Sequence, residues 1–301
     1  MKKLYEKNEF LLAILWIVVY CAVSVPIRGA FGDESAAMLI GLAVIAMGIL
    51  AFVKKLHLDE TYGLTKWSGS AKGYLFFLPM LFLMTGNLWG GVGVAYAGIA
   101  QLFAVISMLL VGFIEEMIFR GFLFRVLLKR NSAPVAITIS AVTFGIGHIV
   151  NLFAGQGGLE TLIQVFFAIA WGFLFTFVFY KSGSLWVCII VHGLVDVFSK
   201  FAAPENTSGY LYPVVTIIVS AAYCVYLSRK PTALQPAEMD GKGYRRKIGN
   251  CGKNPLDFPR PEAAGHACRL FFPSPQLRNG TGYDRMTGRN RRTSHAEAGI
   301  H

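Results

Sequence analysis

Eight apolar stretches occupy most of the first 228 residues, at roughly 10–27, 36–53, 73–89, 97–124, 133–153, 161–180, 184–199 and 209–227. Each is near the ~20 residues that a ~30 Å hydrocarbon core requires. With 54% hydrophobic residues, 24 Phe and only 15% charged residues, the chain is too apolar for an ordinary soluble domain. The fold class expected is all-α, a polytopic membrane helix bundle of about eight transmembrane helices. The seventh stretch is the weakest span by hydropathy, because it is short and contains His192 and Asp196.

Charge gives the organisation. Residues 229–301 hold 14 of the 28 Lys and Arg against six acids, so this tail carries +8 of the net +11. The expected division is a transmembrane helical domain at 1–228 and a basic, disordered cytoplasmic tail at 229–301. The tail's basic residues are scattered among Gly, Pro and Ser without a recognition motif, which argues against a nucleic-acid partner. Between the stretches, Lys and Arg alternate: three before the first, Arg28 alone after it, then Lys54, Lys55, Lys66 and Lys72. The next connection has none, and Arg125, Lys129 and Arg130 mark the fourth. By the positive-inside rule both termini face the cytoplasm of a multi-pass cell-membrane protein. The first stretch reads as an uncleaved anchor, since its apolar run is long for a signal peptide. The five cysteines include no CxxC pair and read as reduced packing residues.

The ionisable residues inside the spans call for a common explanation. Glu115, Glu116, Arg120, His148, His192 and Asp196 all lie in apolar segments, where a charge costs several kcal/mol unless it is paired or faces a cavity. Glu116 and Arg120 are four apart, share a helical face and can form an ion pair. Glu115 is rotated by about 100° and has no such local partner. His192 and Asp196 are likewise four apart on the seventh stretch. If the turn at "KRNSAP" joins the fourth and fifth spans as a helical hairpin, Glu115 and His148 lie at matched depth, roughly 24–26 Å from it. Three helices can therefore present carboxylates and imidazoles to one pocket. Phe144, Trp171 and Trp186 read as packing or interfacial aromatics.

The patterns E-E-x-x-x-R at Glu115–Arg120, F-x-x-x-H at Phe144–His148 and H-x-x-x-D at His192–Asp196, with "RGFLF" and "KSGSLW", resemble the CPBP family of intramembrane proteases, also called CAAX protease or Abi. The resemblance covers roughly residues 70–200 as a protease core. It implies an intramembrane endopeptidase acting on a membrane-associated peptide or protein, of prenylated CaaX or bacteriocin-like type. By that resemblance Glu115 and His148 activate the attacking water, Glu116 and Arg120 support the site, and His192 with Asp196 stabilises the oxyanion.

The prenyl-protein branch typically has Asn at the last position, where an ionised Asp only accepts hydrogen bonds. Zn²⁺ held by His148, His192 and Asp196 is an open alternative, which would make the chain a metalloprotease. Two other readings remain: a non-catalytic bacteriocin-immunity or scaffold protein, and a proton-coupled transporter. The transporter reading favours inverted repeats, and none is visible in the sequence.

Overall fold

The computed structural model describes residues 1–65, 77–203, 210–230 and 232–234, all within one compact unit. Among these residues the secondary structure is helical, with no strand and one isolated bridge, Val92 to Ala202. Helix α1 (Lys2–Lys7) leads into α2 (Glu9–Phe31), then α3 (Ala36–Lys55) and the short α4 (Leu78–Met84). Helix α5 (Ile99–Glu116) passes without a break into a π-helical segment (Met117–Phe124) and α6 (Arg125–Leu128). After α7 (Ala133–Gly147) comes a 3-10 segment (His148–Ala154), followed by α8 (Gly158–Ser182), α9 (Leu185–Ser199) and α10 (Leu211–Ser228).

The starts of these helices follow from local chemistry. Asn8 caps α2 by accepting from the Leu11 N–H at 3.1 Å, and Ser35 caps α3 by accepting from the Met38 N–H at 3.0 Å. Proline in the first turn of α7 sits where its missing N–H costs nothing.

Six helices are long and apolar enough to cross a membrane, and two of the eight expected spans are shorter. The third stretch gives only Leu78–Leu88 among the described residues, because the glycine-rich "GNLWGGVGV" ends its helix. The seventh gives α9, whose 15 residues rise only about 22 Å. The bundle is thus multi-pass and all-α, as expected. Residues such as Val18, Ile40, Val44, Phe166 and Ile218 are exposed on its outer surface, as lipid contact requires. The three described cysteines, Cys21, Cys188 and Cys224, are unpaired.

Connections expected on one side of the membrane meet one another. Lys129 pairs with Glu9, and Leu185 donates its N–H to the Gly63 carbonyl at 3.0 Å. At the other end Asp33 accepts from Arg28 Nε at 2.7 Å and Lys200 Nζ at 2.8 Å. Burial alone would raise the Asp33 carboxyl, but Arg28 and Lys200 outweigh it and hold it below the usual carboxylate range. The expected tail at 229–301 lies outside the described residues from 235 onward. Its first residues fold back on α8, with Leu234 donating its N–H to the Tyr180 carbonyl at 3.2 Å.

Candidate active site

Close backbone packing sets the site. Helices α5 and α9 touch where Gly112 meets Gly193: a Cβ at Gly112 would lie 2.5 Å from the Gly193 nitrogen. Small residues let membrane helices approach this way. Glu116 is one turn beyond Gly112, and His192 adjoins Gly193, so the contact brings both side chains into reach. Gly172 of α8 makes a similar approach, where a Cβ would lie 2.8 Å from the Ala141 carbonyl oxygen of α7.

Glu116 is fully buried and doubly engaged. Arg120 Nη1 donates to its Oε1 at 2.8 Å, and His192 Nδ1 contacts the same oxygen at 2.8 Å. Arg120 also donates through Nη2 to the Gly172 carbonyl at 3.4 Å and stands over the Phe144 ring, 4.2 Å from its centroid. The i, i+4 pair thus forms as its spacing predicts, although Arg120 lies in the π-helical segment. Such segments are frequent at functional sites, and nothing in the composition of "MIFRGFLF" signals this one.

His192 Nε2 lies 3.7 Å from Glu115 Oε2 and 3.5 Å from Asp196 Oδ2. One imidazole therefore faces all three carboxylates. Phe175 stacks on it at 5.3 Å and Phe144 meets it edge-on at 5.7 Å. His148 begins the 3-10 segment and bonds the Phe144 carbonyl through Nδ1 at 3.1 Å. Since a carbonyl only accepts, Nδ1 carries a proton, which leaves Nε2 as the nitrogen not engaged by the backbone. His148 makes no hydrogen bond or ion pair to the carboxylates among the described residues. It shares the Phe144 ring as a wall with His192.

Glu115, without a local partner in the sequence, receives one from a distant helix. Tyr20 of α2 donates its hydroxyl to Glu115 Oε1 at 2.7 Å. Sequence reasoning passed over Tyr20; the available signal was a phenol hydroxyl at mid-span, which needs a partner when buried. Of the expected packing aromatics, Trp171 stacks on Phe175 within the bundle. Trp186 is half-exposed and donates to the Leu64 carbonyl at 2.8 Å.

The fold and site together define a multi-pass membrane protein with a buried acid–base cluster drawn from four helices. Residues 98–198 match the family model described as type II CAAX prenyl endopeptidase Rce1-like. Over this segment, about a third of the chain, the sequence is similar to the CAAX-protease (CPBP) family. All six residues singled out in the sequence fall inside the match, whereas Tyr20 falls outside it. No curated protein matches the chain significantly.

Zinc suits part of this chemistry. Both histidines engage Nδ1 with an oxygen, the arrangement that presents Nε2 to a metal. Among the described residues, however, no three His, Cys, Asp or Glu side chains stand together as a metal-holding group. As placed, they do not form a ready zinc site.

Proposed function

We propose that the chain is an intramembrane endopeptidase that hydrolyses a peptide bond of a membrane-associated substrate, of prenylated CaaX or bacteriocin-like type. The observation that carries this reading is the meeting of Glu115, Glu116 and Asp196 around His192, where the membrane-length helix Ile99–Leu128 packs against the shorter apolar α9. Charged groups at that depth are costly and call for a function.

Glu115 takes a proton from the attacking water, with His148 Nε2 as the second acceptor for that water. The new C–O bond forms at the scissile carbonyl carbon, and the oxyanion meets His192. The proton held on Glu115 passes to the leaving nitrogen as the C–N bond breaks, giving a carboxylic acid, which keeps water's other proton, and an amine. General acid–base help of this kind is worth roughly 10²–10⁴-fold, and a removed oxyanion donor costs about 10²–10³-fold. Glu116 is committed to Arg120 and His192, so it fixes the imidazole and leaves the proton transfer to Glu115. Asp196, which as a carboxylate accepts only, stands 3.5 Å from His192 Nε2 and serves by orienting the imidazole rather than by donating to the oxyanion itself. The Lys and Arg alternation supports both termini, and the 229–301 tail, on the cytoplasmic side of the cell membrane.

The test compares newly created protein termini, by quantitative mass spectrometry, in cells carrying wild type or Glu115→Gln. Termini found only with wild type support proteolysis and name the substrate. Identical termini, with both proteins equally abundant in the membrane, would favour the immunity or transporter reading. Zinc analysis of the purified protein checks the metal alternative: the donor placement predicts sub-stoichiometric zinc and cleavage that survives chelation. One tightly held zinc, lost in His148→Ala, would replace this mechanism with a metal-assisted one.

A further inference from the structure

Glu115 stands between two very different surroundings. Its Oε1 accepts the Tyr20 hydroxyl at 2.7 Å, while its Oε2 has no hydrogen bond to any described residue and lies 3.7 Å from His192 Nε2. A carboxylate used as a base gains if one oxygen is held and the other is left to react. Otherwise rotation about its last bond exchanges the two.

Tyr20 is itself firmly held. It is 8% exposed, in the middle of α2, about 17 Å along that helix from Glu9. The helix runs antiparallel to the one bearing Glu115: Glu9 pairs with Lys129, Trp16 stacks on Phe122 at 6.4 Å, and Tyr20 meets Glu115. Two turns beyond Tyr20, Arg28 secures α2 to Asp33 at 2.7 Å and to Asn151 at 3.2 Å, within the 3-10 segment that His148 begins. Lys200, just past α9, completes the clamp on Asp33. The helix outside the family match is therefore fastened at both ends to the elements that carry the site.

We infer that Tyr20 is a positioning residue for the hydrolysis: its hydroxyl pins Oε1 of Glu115 and thereby leaves Oε2, on the His192 side, as the oxygen that takes the proton from water. Tyr20 touches neither the water nor the substrate in this role. It selects which face of the carboxylate reacts, and it makes α2 a working part of the site. The inference rests on the protease reading of Glu115.

Two measurements on the full chain, in membranes, test it together. The first is infrared difference spectroscopy of the Glu115 carboxylate stretch, assigned by its loss in Glu115→Gln, in wild type and Tyr20→Phe. The second is the rate of cleavage of a synthetic peptide spanning the strongest wild-type-dependent site found by terminus comparison, with Tyr20→Leu as a further variant.

The expected result is a shifted carboxylate band in Tyr20→Phe. Cleavage should show kcat lower by about 10- to 100-fold, the range for losing a hydrogen bond to a charged group. KM should stay within about twofold, since uniform binding is untouched. A band unchanged in Tyr20→Phe would overturn the pinning whatever the activity. A shifted band with unchanged kcat would show that the bond exists but positions nothing. A drop in kcat that Tyr20→Leu shows and Tyr20→Phe does not would reassign Tyr20 to packing. If wild type and Glu115→Gln yield identical termini, the protease reading fails and the positioning role with it. The band still reports the hydrogen bond in that case, so the two failures are told apart.

Discussion

The contact between Gly112 and Gly193 predicts an asymmetric pair of alanine substitutions. A Cβ at Gly112 would lie 2.5 Å from the Gly193 nitrogen and 2.6 Å from its Cα, where ordinary contact begins at 3.4 Å. The atoms in the way are backbone, so no side chain can swing aside. Helices α5 and α9 must part by about 0.9 Å or rotate by an equivalent amount. Because Glu116 is one turn from Gly112 and His192 adjoins Gly193, the 2.8 Å contact between them would stretch to about 3.7 Å, beyond hydrogen-bond range. A misplacement of about 1 Å in a catalytic constellation can cost ~10²-fold in rate.

The stability change is smaller, because overpacking of about 1–3 kcal/mol is partly offset by the gain of up to ~1 kcal/mol from replacing helical glycine by alanine. Gly193→Ala differs: its Cβ would meet Leu109 Cδ2 at 3.3 Å and Leu109 Cα at 3.4 Å, which a small side-chain shift accommodates. The assay is the yield of the Glu115-dependent terminus at equal membrane abundance of each variant. Gly112→Ala should lower it by about two orders of magnitude and Gly193→Ala by less than about threefold. Equal yields from the two variants, at either level, would refute the argument that this backbone contact sets the site.

Two further outcomes follow from the polar clusters. Arg120→Met leaves Glu116 buried beside His192 without its guanidinium and should cost about 3–5 kcal/mol, read as a lowered thermal midpoint in detergent; adding Glu116→Gln should recover part of it. An unchanged midpoint would mean the pair is not desolvated as the structure has it. Asp33, held below its usual range by Arg28 and Lys200, stabilises the fold when ionised, so its contribution is present above its unfolded value of about 4 and is lost as pH falls through its depressed folded value. The difference in thermal midpoint between wild type and Asp33→Asn should therefore be constant above about pH 5 and shrink in acid; a difference that grew in acid would reverse the assignment.

What the sequence made legible and what it hid divide along a physical line. Periodicity and spacing are local, so the Glu116–Arg120 pair and the shared face of His192 and Asp196 could be read directly. The depth argument set Glu115 and His148 at one level, and in the structure both stand in the surroundings of His192, Glu115 Oε2 at 3.7 Å from His192 Nε2 and His148 against the same Phe144 ring. Matched depth did not show that a shared phenylalanine, Phe144, stands beside both histidines and under Arg120. Hydropathy counted α9 as a span, although 15 residues cannot cross alone. That short helix lies against α5 because two glycines admit it, and a glycine in an apolar run carries no hydropathic signal of its own.

The greatest loss was Tyr20. Its hydroxyl is 95 residues from the carboxylate it serves, and no local pattern links an N-terminal span to a motif in the fourth stretch. The same separation gives the contact its meaning. The chemistry of a matched segment can be complete in its residue types while its geometry depends on a helix outside the match. Here α2 supplies the only hydroxyl bonded to Glu115 among the described residues, and Arg28 ties that helix to Asn151, three residues past His148. A change anywhere along α2 that moves Tyr20 therefore reaches Glu115 without touching any residue that the motifs contain.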